Sequence, residues 1–299
     1  MPIALVTGAT GSLGLRTARE ISTNQNWQVI VSGRRAAAVD AAVKQLGANA
    51  SGCVMDLASL ADVHRAAAAL PDLDAVVCNA GVHSVSGVRY TADGIEETFG
   101  VNHLAHFALV RCLLSRLRAG ARVVFVSSGT HDPARRTGFP PPEYRSARDL
   151  AFPAPGTDAL RDGRRRYTES KLCNVLAAYE FARRVPSAAA AFTVFDPGQM
   201  PGTGIARDYR GLRAFGWRYL LPVATVVPGN DIHTPRSRAR ALARLLVDPA
   251  LAGVTGTYVD GSRAVRSSAD SYDPKLAADL WDFSVAASDP ARPIARAAR

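Results

Sequence analysis

The chain has 299 residues, 47% of them hydrophobic and 21% charged, a balance that allows a well-buried core and excludes a disordered chain. Its net charge of +10 comes from scattered positives, with small clusters at Arg164-Arg165-Arg166 and around Arg236, Arg238 and Arg240. No basic stripe interleaved with aromatics, no signal peptide and no apolar run of about 18 residues occurs, so nucleic-acid binding, export and stable membrane insertion are not expected, and a cytoplasmic protein is.

Short β-rich runs alternate with helical patterns from the first residue onward. Strands are predicted at Ile3–Thr7, Gln28–Ser32, Gly52–Asp56, Asp74–Asn79, Arg122–Ser127, Ala191–Asp196 and Thr257–Val259. Helical patterns lie near 12–23, 36–47, 59–70, 95–118, 167–185, 235–247 and 274–286. Several strands are continuous apolar runs, which suits strands covered on both faces. The alternation implies an α/β fold, a Rossmann-type doubly wound parallel sheet of about seven strands with helices on both faces. Ligands then bind at the carboxyl ends of the strands. One domain is expected over 1–290, with insertions at 130–165 and 199–234 that lack a clear period, followed by a loose tail at 291–299.

The turn after the first strand reads Thr7-Gly8-Ala9-Thr10-Gly11-Ser12-Leu13-Gly14. Glycines between a strand and a helix let the chain turn tightly and bring backbone N–H groups to a pyrophosphate, so Gly8, Thr10, Gly11, Ser12, Leu13 and Gly14 are candidate dinucleotide contacts. The second strand ends in Ser32-Gly33-Arg34-Arg35, with no acidic residue to hold a ribose 2′-hydroxyl. An arginine there suits a 2′-phosphate, so Arg34 favours NADP(H) over NAD(H). Asp56 and Leu57, closing the third strand, lie where the adenine passes. Asn79-Ala80-Gly81 follows the fourth and supplies small residues beside the cofactor.

Tyr167 and Lys171 are four apart in a helical pattern and share a face. An ammonium beside a phenol lowers its pKa, which makes the pair a base near neutrality and, protonated, an acid toward a carbonyl oxygen. The glycine turn, Asn79-Ala80-Gly81, Val101-Asn102-His103, Val126-Ser127-Ser128, Tyr167-x-x-x-Lys171 and Asp196-Pro197-Gly198 occur in this order. Together they resemble the short-chain dehydrogenases/reductases over residues 1–260 at least. The resemblance implies that Tyr167 is the acid/base and that Lys171 lowers its pKa and holds the nicotinamide ribose. Ser128 would polarise the substrate oxygen, and Asn102 would order a water that links Lys171 to solvent. Pro197 and Gly198 would shape the nicotinamide pocket, with Thr203 a carboxamide contact. The long 130–165 insertion, Ser170-Lys171-Leu172-Cys173-Asn174, Pro201-Gly202-Thr203-Gly204 and Asp273-Pro274-Lys275 with Leu280-Trp281 resemble the retinol-dehydrogenase and protochlorophyllide-reductase branch, whose members reduce a C=O or a C=C bond.

The resemblance thus implies an NADP(H)-dependent oxidoreductase acting on an alcohol/carbonyl pair of a fairly apolar small molecule, and a homodimer or homotetramer. One departure stands out. Related one-domain enzymes read TGxxxGxG, with glycine where this chain has Ser12, whereas Gly11 gives the TGxxGxxG form of extended sugar-nucleotide epimerases and dehydratases. Such an enzyme, or a non-catalytic NADP-sensing protein, remains an alternative. His103 and His106 lack a third metal ligand, so no metal is expected. Phe215, Trp217 and Tyr219 suit a pocket lid, a core or dimer contact, or a membrane surface. The cysteines Cys53, Cys78, Cys112 and Cys173 are expected to be reduced and mostly buried.

Overall fold

An unbroken run of valine and phenylalanine has no side suited to water, and the strands built from such runs have apolar layers on both faces. The computed structural model describes residues 1–24, 27–154, 156–198, 200 and 233–291. Its strands are β1 (Ile3–Val6), β2 (Gln28–Gly33), β3 (Ala50–Val54), β4 (Leu73–Cys78), β5 (Leu117–Val126), β6 (Ala190–Asp196), β7 (Thr257–Asp260) and β8 (Arg263–Val265). They form one sheet in the order β3-β2-β1-β4-β5-β6-β7-β8. β1 through β7 run parallel, in registers such as Val6 beside Val77 and Phe125 beside Val194, and β8 pairs antiparallel with β7.

The sheet therefore has eight described strands rather than about seven. β8 is only Arg-Ala-Val, exposed throughout, and carries no apolar alternation that a pattern search could find. The helices are α1 (Ser12–Asn24), α2 (Ala36–Leu46), α3 (Leu60–Ala69), α4 (Ala105–Leu113), α5 (Ala147–Ala151), α6 (Ala159–Arg184), α7 (Pro235–Val247) and α8 (Pro274–Ala287). α1, α2 and α7 cover one face, where Val6, Val31, Val77 and Val124 meet Leu13, Ile21, Val39 and Leu242. α3, α4, α6 and α8 cover the other, where Leu5, Val76, Val123 and Phe125 meet Val63, Phe107, Leu176 and Leu280. Successive residues of β5 thus serve opposite cores, as the period of two requires.

Two predicted spans differ from what forms. The expected helix at 95–118 is a turn at Glu97–Phe99, a π-helical stretch at Gly100–Leu104, α4, and a 3-10 turn at Leu114–Arg116, after which β5 has already begun at Leu117. The 130–165 insertion also contains more structure than its composition suggests. α6 starts at Ala159, where the Asp158 carboxylate accepts from the Arg161 N–H at 3.0 Å, and Ser146 caps α5 in the same way. These N-caps are readable in the sequence, whereas the arginine-rich turns that follow show no apolar period. Cys78 and Cys173 are buried, Cys53 is half-buried and Cys112 is exposed; all four are free thiols. No described helix is long and apolar enough to cross a membrane. Residues 201–232, with Thr203, Phe215, Trp217 and Tyr219, and residues 292–299 of the tail lie outside the described residues.

Candidate active site

The strand order reverses between β1 and β4, and the carboxyl ends of β1, β4, β5 and β6 open onto one edge, where such sheets form a ligand crevice. β1 delivers the glycine turn to this edge. A Cβ on Gly8 would lie 2.8 Å from the Ala80 Cα, and one on Gly14 would lie 2.6 Å from the Asn79 amide nitrogen, so both must lack side chains. Gly11 faces open space, with nothing within 4 Å of an added Cβ. Thr10, Gly11 and Ser12 line the accessible rim, while Leu13 packs inward. The turn is thus a side-chain-free backbone cradle at the start of α1, the arrangement that suits the pyrophosphate of a dinucleotide.

The Gly11/Ser12 exchange has a structural reading. Ser12 has φ +39°, in the left-handed region that favours glycine, and is the one non-glycine described residue with positive φ. Gly11 does not adopt positive φ. The backbone therefore takes the shape that calls for glycine at position 12, and the serine bears the strain. Replacing Ser12 by Gly should raise stability by about 0.5–1 kcal/mol, the left-handed penalty less the entropy that glycine adds to the unfolded chain, as measured by denaturant unfolding.

Thr7, at the end of β1, ties this turn to the segment after β4. Its hydroxyl accepts from the Asn79 and Ala80 N–H groups at 2.9 and 3.0 Å, and its carbonyl accepts from the Asn79 side-chain amide at 2.8 Å. Arg34 is exposed at the end of β2. The Asp56 carboxylate accepts from the Ala58 N–H at 2.9 Å, while the Leu57 side chain belongs to the core, leaving only its main chain at the edge.

α6 carries Tyr167 and Lys171 on one face, 7% and 4% exposed. Its docking is fixed at several points. The Ser127 hydroxyl donates to the Lys171 carbonyl at 2.8 Å, and Lys171 Nζ and the Asn174 amide donate to the Val126 carbonyl at 3.1 and 3.2 Å. Gly163 allows the helix to approach the 82–87 loop closely, since a Cβ there would collide with the Ser84 carbonyl oxygen and lie 2.9 Å from the Val85 Cα. The Tyr167 ring is flanked by His83 and Phe139, with centroids 5.1 and 5.8 Å away. Its hydroxyl lies near enough to Ser128 for that side chain to affect its titration.

The electrostatics of the pair are set first by burial. Burial, followed by the negative charge of Asp196, raises the Tyr167 pKa well above that of a free phenol, and the nearby Ser128 opposes the rise. Burial lowers Lys171 to about 8, while Asp196 pulls it back up. Lys171 Nζ lies 5.4 Å from the Tyr167 ring centroid and donates to the Val126 carbonyl.

Asn102 sits in the π-helical stretch, a distortion that recurs at functional sites. Its side-chain oxygen accepts from the Val82 N–H at 2.7 Å, and its amide donates to the Val82 carbonyl and the Ser170 hydroxyl, both at 3.0 Å. An added Cβ on Gly81 would be 3.3 Å from Asn102 Oδ1 and 3.8 Å from Lys171 Nζ, which places these three residues together. Gly198 has φ +64° and donates its N–H to Asp196 Oδ1 at 2.8 Å, beside buried Pro197.

Several contacts around the site carried no sequence signal. Arg135, in the insertion, reaches Asp196 at 3.3 Å and Asp260 at 3.1 Å, fastening that loop to the ends of β6 and β7. The Asp196 carboxylate is wholly buried and also accepts from the Tyr258 hydroxyl at 2.8 Å. His131 donates from Nδ1 to the Ser128 carbonyl at 2.7 Å and accepts the Ser268 N–H at Nε2, 3.2 Å away. His103 and His106 are both wholly buried, and among the described residues no three His, Cys, Asp or Glu side chains form a metal-type cluster.

Comparison with known proteins places this geometry. Residues 2–137 match the family model described as short chain dehydrogenase. Protochlorophyllide reductase B of Oryza sativa subsp. japonica is 31% identical over 309 residues, covering 94% of this chain and 76% of the relative. The protochlorophyllide reductase of Avena sativa is 30% identical, covering 94% and 98% respectively. A solved structure of an uncharacterized protein from Mycobacterium paratuberculosis superimposes with a TM-score of 0.70 at 27% identity, covering 95% of this chain and 92% of that one. With a sheet edge built for a dinucleotide and relatives matched over nearly its whole length, the chain belongs to the short-chain dehydrogenase/reductase family of oxidoreductases.

Proposed function

We propose that this protein transfers a hydride between NADP(H) and an alcohol/carbonyl pair on a fairly apolar small molecule, working in the cell as a reductase. The observation that carries the reading is the buried Tyr167 phenol, close to Ser128 and one helical turn from Lys171, on the sheet edge that carries the glycine cradle. The bound nicotinamide supplies the hydride. Backbone N–H groups around Thr10, Gly11, Ser12 and Leu13 hold the pyrophosphate, with Gly8 and Gly14 keeping the turn tight. Arg34 would pair with the 2′-phosphate, Asp56 and Leu57 would border the adenine, and Asn79, Ala80 and Gly81 would put small residues beside the cofactor. Pro197, Gly198 and Thr203 shape the nicotinamide end.

The Ser128 hydroxyl donates to the substrate oxygen and stabilises the charge that develops there. Tyr167 gives its proton to that oxygen as hydride reaches the carbonyl carbon. A raised phenol pKa suits this direction, because the proton is present to be given at neutral pH. Lys171 holds the nicotinamide ribose and supplies positive charge beside the phenolate that forms. Asn102 connects Lys171 to solvent through a water. A homodimer or homotetramer belongs to the same reading on the family resemblance, and a cytoplasmic location on the sequence, in which no signal peptide occurs.

The test is NADPH oxidation by purified protein against a panel of apolar ketones and aldehydes. Turnover supports the reading, and inertness across the panel with intact NADPH binding defeats it. The curated relatives favour a second reading, reduction of a protochlorophyllide-like substrate at the same residues, and protochlorophyllide added to the panel separates the two. Replacing Arg34 by Ser should raise the NADPH Kd about tenfold or more through loss of a charge-assisted bond, and leave NADH binding within about twofold, as read by fluorescence titration.

A further inference from the structure

His106, in the first turn of α4, is wholly buried and has a partner on each ring nitrogen. Nδ1 lies 3.0 Å from the Asn102 carbonyl oxygen, and Nε2 lies 2.9 Å from the Thr7 hydroxyl. A carbonyl can only accept, so Nδ1 carries a hydrogen. Burial lowers the ring to about pKa 4, so it is neutral near pH 7 and Nε2 is bare. The Thr7 hydroxyl hydrogen has two acceptors in reach, Nε2 at 2.9 Å and the Val77 carbonyl at 3.1 Å; because the Thr7 oxygen already receives the Asn79 and Ala80 N–H groups, a bare Nε2 bonds here only by taking that hydrogen in competition with Val77.

One line of directed bonds results. It runs from the main chain of Asn79 and Ala80, through the Thr7 hydroxyl and the imidazole, to the Asn102 carbonyl. From the same Asn102 the side-chain amide continues to the Ser170 hydroxyl, which donates to the Tyr167 carbonyl at 2.8 Å. The π-helical stretch takes the carbonyls around Asn102 out of the regular α ladder, and His106 supplies a donor to one of them.

We propose that His106 is a positioning residue that sets the placement of the Asn102 carbonyl relative to the cofactor-side turn formed by Thr7, Asn79 and Ala80. The inference rests on the hydride-transfer reading above only for its catalytic arm; the cofactor arm is read by binding alone.

Two variants separate the arms, because an asparagine amide reaches the Nδ1 position and a glutamine amide the Nε2 position. His106→Asn keeps the bond to Asn102 and loses the one to Thr7; it should raise the NADPH Kd about tenfold and leave kcat within about threefold. His106→Gln does the reverse and should lower kcat about tenfold while leaving Kd within about twofold. If both variants move Kd and kcat together in step with their melting temperatures, or if neither moves either quantity, the proposal is overturned and His106 is a packing residue. Nitrogen-15 NMR of the wild-type histidines gives a check that needs no variant to fold. A hydrogen on Nδ1 with a bare Nε2 supports the chain of bonds, and the opposite tautomer overturns it. If the wild type binds NADPH but turns over no substrate, the hydride-transfer reading fails while the Kd arm and the NMR still decide the role of His106.

Discussion

Tyr167→Phe should lower kcat by about 10²–10⁴-fold, the usual contribution of a positioned general acid, with the NADPH Kd close to that of wild type. The substitution removes one oxygen and leaves the ring between His83 and Phe139 with its packing intact. The oxygen removed is the one near Ser128, whose own hydroxyl accepts from the Thr130 N–H at 3.3 Å and so keeps a partner. Melting temperature should therefore change little, and the loss should appear in kcat rather than in folded fraction. Residual turnover at the wild-type rate would remove Tyr167 from the chemistry.

Arg166→Ala should cost about 3–5 kcal/mol of stability, the usual result of breaking one side of a buried pair. Arg166 and Glu96 are 9% and 1% exposed, with Arg166 Nε 3.2 Å from the Glu96 carboxylate. Arg166 also donates to the Gly87 carbonyl at 3.1 Å, and Glu96 accepts from the Phe99 N–H at 2.7 Å. Without the guanidinium, Glu96 keeps its burial and loses its counter-charge. Burial already raises its pKa, and the loss of Arg166 raises it further. A carboxyl with a raised folded-state pKa binds more protons folded than unfolded, so stability falls as pH rises from the unfolded value toward the folded one. The deficit of the variant should accordingly be smaller at pH 5 than at pH 8 in paired urea titrations. A pH-independent deficit would mean that Glu96 does not carry the effect. Because the pair joins the start of the Asn102 segment to the helix of Tyr167, lost activity should accompany lost stability.

The legible part of this molecule is the part governed by local periodicity and by special backbone positions. β1, β2, β4 and β6 were readable as apolar runs because both their faces are buried, and Gly8 and Gly14 as turn glycines because side chains there would collide with neighbours. Tyr167 and Lys171 were legible as a helical pair, although α6 begins eight residues before Tyr167, in arginine-rich turns with no apolar period. The rest depends on contacts between distant segments. Arg135 meets Asp196 across 61 positions and Asp260 across 125, and nothing in the local sequence of the insertion marks it as a latch. The strain at Ser12 was half visible: the sequence exposed an exchange of glycine and serine, and only the backbone dihedrals showed which position needed the glycine.

Gly163 bears on how finely the site is gauged. Its missing side chain lets α6 seat against the main chain at Ser84 and Val85, and Tyr167 follows four positions later on the same helix. The reach of the phenol toward Ser128 is thus set by contact between two backbones, the least compressible kind of spacer a protein has. Misplacement of a reacting group by about 1 Å can remove about two orders of magnitude from a rate. The tolerance of the reacting centre is held, in effect, by an atom that is not there.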